Sequence, residues 1–160
     1  GNVEFNFNTL EQYENGISGI GQDDQYSTKL TIASSVDWDL IMGAEDDNLV
    51  STDTVDAAGG MDLGYITYAV DDSEAGVSKN VEISFDATTG EPDQLPSIGD
   101  NTAIIENRTS NAGDVDQNQF RIDWACGSED DNAIGNLMGS DLTGGRYSTN
   151  VFFILQPAAD

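Results

Sequence analysis

Histidine is missing from this sequence, and cysteine occurs once, at Cys126. Without imidazole there is no Ser-His-Asp or Cys-His catalysis, no histidine-based zinc site and no imidazole general base. A single thiol cannot form an intrachain disulfide, so a disulfide-stapled fold is excluded. Basic residues are almost as scarce: five Lys and Arg stand against thirty Asp and Glu, a formal net charge of −25. Phosphate contacts need a basic surface, so nucleic acid is excluded as a partner, and anionic membranes are disfavoured for the same reason. No apolar run approaches the roughly 18 residues of a membrane-spanning helix, so no membrane insertion is expected. The three prolines, Pro92, Pro96 and Pro157, fall outside the interiors of the apparent strands.

What is present suits one globular domain. The chain has 160 residues and 38% hydrophobic content, with two Trp, five Tyr and six Phe, too much for a disordered acidic tail. The acid has two readings. Self-repulsion is screened in a saline or extracellular setting, or Asp-rich loops bind divalent cations. The chain opens at Gly1 without Met, as a processed secreted protein does, and an extracellular or cell-surface location is expected.

Period-two alternation recurs along the chain, and it is the mark of half-buried strands. Val3, Phe5 and Phe7 alternate with Asn2, Glu4, Asn6 and Asn8. Tyr26, Thr28, Leu30 and Ile32 share a face, as do Val36, Trp38, Leu40 and Met42. Ile66, Tyr68 and Val70 follow, then Val81, Ile83 and Phe85. Phe120, Ile122, Trp124 and Cys126 alternate with Arg121 and Asp123, which are expected to face outward. Tyr147, Val151, Phe153 and Leu155 close the series. Helical signal is thin: a short turn is expected around Ile134, Leu137 and Met138, weakened by Gly135 and Gly139. About seven strands separated by Gly-, Asp-, Asn- and Ser-rich turns predict an all-β fold. The expected form is an antiparallel, immunoglobulin-like β-sandwich, with the jelly roll as competitor.

Residues 1–25 read as an N-terminal strand and a joint, with Gly19 and Gly21 supplying flexibility, and residues 26–160 as the body of the sandwich. The last strand, Val151, Phe152, Phe153, Ile154 and Leu155, is apolar on both faces. A strand with one wet face does not look like this, so loops or a neighbouring subunit must cover its outer side. The first strand can close its own sheet or add to the open edge of another copy. Burial of Val3, Phe5 and Phe7 contributes roughly 1.5–3 kcal/mol each. A head-to-tail contact of this kind does not close and grows a filament.

Site chemistry gives little else. "GISGIG" from Gly16 to Gly21 lacks the strand before and the helix after that a phosphate loop needs. Paired carboxylates hydrolyse glycosides in other proteins, but among thirty acids such pairs arise by chance, and no enzyme activity is expected. "DVDQNQ" sets Asp114, Asp116 and Asn118 at the first three ligand positions of an EF-hand loop. Gln119 and Ala125 then stand where that loop needs Gly and Glu. The remaining candidates for an irregular calcium site are Asp46 and Asp47, Asp71 and Asp72, and Asp130 and Asp131; a solvated acidic loop is the simpler account of each. No other cofactor is expected. Trp38 and Trp124 suit a glycan-stacking surface, yet both are in phase with aliphatic strand faces and read better as core. Asn107-Arg108-Thr109 matches the N-glycosylation pattern, a short match in an Asn-rich chain.

The ending "GGRYSTNVFFILQP" resembles the terminal strand of secreted pilin-like sandwiches of the chaperone–usher and spore-coat U type. The resemblance lies in Gly145-Arg146-Tyr147 leading into Val151, Phe153 and Leu155, and "STKLTIASSVDWDL" looks like a core hairpin of secreted bacterial β-sandwich proteins. The resemblance implies that an N-terminal arm completes the fold of the neighbouring subunit, which suits Val3, Phe5 and Phe7. The expected function is therefore a structural subunit of an extracellular filament or pilus, with other copies of itself as partner. The alternative is a calcium-dependent or carbohydrate-binding module of a surface adhesin or exoenzyme, with cell-surface glycans as partner.

Overall fold

The computed structural model describes residues 2–52, 60–71, 92–106, 111–116, 118–140 and 145–158. Within them the chain forms a helix α1 (Leu10–Asn15) and eleven strands. These are β1 (Ile17–Ser18), β2 (Ser27–Thr31), β3 (Trp38–Ala44), β4 (Asn48–Ser51), β5 (Met61–Asp62) and β6 (Ile66–Asp71). They continue with β7 (Asp93–Gln94), β8 (Ala103–Ile105), β9 (Gln119–Cys126), β10 (Tyr147–Ser148) and β11 (Val151–Pro157). Every ladder between them is antiparallel, and the fold is the expected all-β sandwich.

β9 is the centre of the first sheet. Its residues Gln119 to Asp123 pair with β2, and Ala125 and Cys126 with β1, so both run along the same side. β6 pairs along the other side and β7 follows at the edge. The second sheet is built on β3, with β11 on one side and β8 on the other, and β4 between β10 and β5 makes a separate small sheet. The two sheets enclose Trp38, Leu40 and Met42 of β3, Ile66 and Tyr68 of β6, and Phe120, Ile122, Trp124 and Cys126 of β9, all in one cluster. Both tryptophans lie in that core, as their strand phase predicts.

The strand count exceeds the expected seven for two reasons. A break at Thr149 and Asn150 cuts the last expected strand into β10 and β11, and the strands β1, β4, β5, β7 and β8, of two to four residues, are too short to show a period. The first expected strand is a correction of the opposite kind: residues 2–8 form no strand and belong to no ladder among the described residues. The helical turn expected around Ile134 is also absent. A 3-10 turn at Glu129–Asp131 stands just before it and stops at Asn132, which takes the left-handed conformation at φ 66°. Val81, Ile83, Phe85, Asp72 and the Asn107–Thr109 sequon lie outside the described residues.

Both sheets carry a second covered layer. On β3, Ile41 and Gly43 face away from the core yet are buried. A side chain at Gly43 would collide with the backbone of Ile98, so the turn Ile98–Asp100 packs directly on the strand. On β9, Arg121 and Asp123 face away from the core as expected, but they are 4% and 1% exposed. The reason is the segment 19–27 folding over them. Gly21 N–H donates to Asp123 Oδ2 at 2.9 Å and the Ser27 hydroxyl to Asp123 Oδ1 at 3.0 Å. Arg121 donates through Nε to Asp123 at 2.6 Å and through a terminal nitrogen to Asp71 at 2.9 Å. The Asp123 hydrogen bond, reinforced by both carboxylates, holds the guanidinium above its ordinary value.

Candidate functional site

The N-terminal segment is held by its side chains. Val3, Phe5 and Phe7 are half-buried against the core cluster, while Asn2, Glu4, Asn6 and Asn8 are exposed. The Phe5 ring stacks on Tyr26 with centroids 4.9 Å apart and 3° between planes. Phe7 meets Tyr13 at 5.5 Å, and the Tyr13 hydroxyl reaches the Phe7 carbonyl at 3.4 Å. No backbone-to-backbone bond ties residues 2–8 to the other described residues. The segment thus has a strand's alternation and a strand's burial without a strand's ladder.

Its position follows from the edges of the two sheets. Leu95 N–H donates to Ile66 O at 2.9 Å and Ala44 N–H to Pro96 O at 2.8 Å. The segment 93–97 therefore closes the β7 and β8 edges on one side of the sandwich. Among the described residues β2 and β11 are the edges on the opposite side. Phe5 on Tyr26, one residue before β2, places the arm on that side.

β11 is paired only with β3 among the described residues. Its register sets Val151, Phe153 and Leu155 opposite Ala44, Met42 and Leu40, toward the core. Phe152 and Ile154 point outward and are 45% and 46% exposed, so no loop among the described residues covers the outer face. Leu155, in phase with the core, is nonetheless 46% exposed. Beside it lies a cleft of about 170 Å³ lined by Ser34, Val36, Trp38, Leu155, Gln156 and Pro157. That is well below the roughly 300–1,000 Å³ of a small-molecule pocket; it has room for a side chain.

The expected joint at Gly19 and Gly21 is instead pinned. Gly19 N–H donates to Trp124 O at 2.9 Å and Gly21 N–H to Asp123. Residues 1–25 divide differently: an arm at 2–8, helix α1, and then β1, already part of the body's sheet. Of the residues that receive the arm, Tyr26 is legible in the sequence only as part of a strand face with Thr28 and Leu30, and Tyr13 carries no signal there.

The acidic candidates do not converge. Asp46 and Asp47 are exposed in the β3–β4 turn, and Asp130 and Asp131 lie in the turn after β9. Asp71 is bound to Arg121 at the end of β6. Among the described residues no three acidic, cysteine or histidine side chains are grouped to hold a metal ion, and no helix is long and apolar enough to cross a membrane. Cys126 is buried, and burial pushes its thiol up to about 12, the opposite of an activated nucleophile. No protein-family model matches this chain, and no curated protein matches it either, so the resemblance to pilin-like sandwiches rests on its own residues.

Proposed function

We propose that this chain is a structural subunit of an extracellular filament, in which residues 2–8 of each copy leave their own sandwich and dock on the next. One observation carries this: a segment with a strand's alternation packs on Tyr26 without a backbone ladder to the other described residues, in a sandwich whose β11 has no second neighbour among those residues. Exchange buries Val3, Phe5 and Phe7 against the next copy and adds main-chain hydrogen bonds, each contributing about 1 kcal/mol net. The contact is head-to-tail, so it propagates. Val151, Phe152, Phe153, Ile154 and Leu155 form the receiving edge.

Electron microscopy of concentrated protein across a salt series tests the proposal. Filaments are expected from the full chain and none from a variant lacking residues 1–8, which should stay folded. Dispersed monomers at every salt concentration defeat it. If calcium instead raises the melting temperature saturably with no polymer formed, the chain is a calcium-dependent binding module and the acidic turns are its sites.

A further inference from the structure

We infer that helix α1 is the latch of the exchange, and that it must unwind before an arm can reach a second copy. This rests on the filament reading and adds how the arm is released. α1 stands between the loose arm and a fixed anchor. On the anchor side, Gly16 takes φ 78° and a side chain there would lie 2.5 Å from the Gly127 backbone, and β1 is laddered to Ala125 and Cys126. The body therefore starts at Gly16.

On the arm side two side chains of α1 make the hold: Tyr13, whose ring meets Phe7 and whose hydroxyl donates to the Phe7 carbonyl, and Gln12. Gln12 Oε1 accepts from Asn8 N–H at 2.6 Å and from Thr9 N–H at 3.1 Å, while Gln12 N–H donates to Thr9 Oγ1 at 3.2 Å. This capping box is also what starts the helix. The same residues thus nucleate α1 and fix the direction in which the arm leaves it, back toward Tyr26. The helix has little else to keep it. It has six residues and buries none of them, with Leu10 65% exposed; its backbone tie to the body is Met138 N–H on Tyr13 O at 3.0 Å. Isolated helices shorter than about 12 residues are marginal in water.

Unwinding has a geometric consequence. Six residues span about 9 Å as a helix and about 20 Å extended. With α1 open, residues 2–15 reach roughly 46–50 Å from Gly16, enough to cross to a neighbouring sandwich. With α1 closed the arm starts at Thr9 and is aimed at its own seat.

The experiment is filament growth followed by light scattering and electron microscopy. In the first variant, Leu10→Cys and Glu14→Cys, exposed and one helical turn apart, are bridged by a short helix-stapling crosslinker; buried Cys126 does not compete. The bridged protein should grow at least tenfold more slowly than the same variant unbridged. Gln12→Ala should grow about fivefold faster than the parent, the factor expected from losing one cap. Bridged protein growing at the unbridged rate, or Gln12→Ala growing no faster, overturns the latch while leaving the filament reading intact. If the parent chain forms no filaments at all, both fail.

Discussion

Removal of residues 1–8 is expected to cost the monomer little and the polymer everything. The structure allows the magnitude to be worked out. Val3, Phe5 and Phe7 are half-buried, so each contributes roughly 1 kcal/mol, half of the value for a fully buried side chain. The Phe5–Tyr26 stack adds about 1 kcal/mol, for a total near 4 kcal/mol. Against this stands the ordering of the backbone from residue 2 to residue 8, at about 1 kcal/mol per residue, or roughly 7 kcal/mol. No ladder among the described residues offsets it, because no backbone-to-backbone bond holds residues 2–8 to the other described residues. The two sums differ by about 3 kcal/mol, no more than the spread of either. Docking of the arm on its own body is close to balance.

The truncated chain should therefore melt within about 8 °C of the parent, corresponding to no more than about 2 kcal/mol for a domain of this size. Its urea m-value should be nearly unchanged, since little surface is lost. In the intact chain, amides of residues 2–8 should exchange with solvent orders of magnitude faster than those of β9. Phe5→Ala should mimic the truncation in the assembly assay, whereas Glu4→Ala, out of phase and exposed, should assemble like the parent. A truncated chain that melts more than 15 °C lower, or protected amides along residues 2–8, would refute the reasoning, because the arm would then be a structural strand of its own domain.

Two further outcomes follow from the buried groups. Asp123→Ala strips Arg121 of its closest carboxylate and leaves Gly21 N–H and the Ser27 hydroxyl without that acceptor. Breaking a buried pair costs about 3–5 kcal/mol, read by urea denaturation, and a loss below about 1 kcal/mol would contradict the buried cluster. The thiol of Cys126 ionises near its ordinary 9.0 when unfolded but only near about 12 when folded. The unfolded chain thus holds fewer protons between these values, and stability falls as pH rises above 9 by up to about 1.4 kcal/mol per pH unit. Cys126→Ala should flatten the parent's slope between pH 9 and 10.5; parallel curves would show the thiol to be solvated.

Elements with a long, one-sided alternation were legible from the sequence. β9 and β3 could be placed because Phe120-Ile122-Trp124-Cys126 and Trp38-Leu40-Met42 repeat over enough residues to fix phase. α1 could not be placed, since six residues with no buried side chain leave no apolar period, and only the Thr9–Gln12 cap marks its start. Arg121 and Asp123 were assigned the correct face and the wrong environment. Alternation tells which side of a sheet a residue occupies, but a covering loop 100 residues away in the chain carries no periodic signal. The receiving side of the arm divides in the same way. The doubly apolar β11 stood out in the sequence, whereas the cleft at Val36 and Trp38 is made by two distant segments meeting.

The charge distribution completes the account of association. Residues 147–159 contain no charged side chain in a chain of net charge −25. β11 also lacks the usual protection of an edge strand: it has no lysine, no inward charge, and a proline only at its last position. A lone edge of this kind is a hazard to a monomer, and here repulsion between whole molecules is what opposes its pairing. That repulsion reaches about 30 Å at 0.01 M salt and about 8 Å at 0.15 M. An edge contact made of apolar side chains and main-chain bonds is scarcely screened, while the barrier to approach is. Association should accordingly be negligible at 0.01 M salt and rise steeply toward 0.5 M, with NaCl and KCl equivalent. Association driven by complementary charges weakens as salt is added, so a filament that dissolves between 0.01 and 0.5 M would place its contacts among the acidic turns and not along β11.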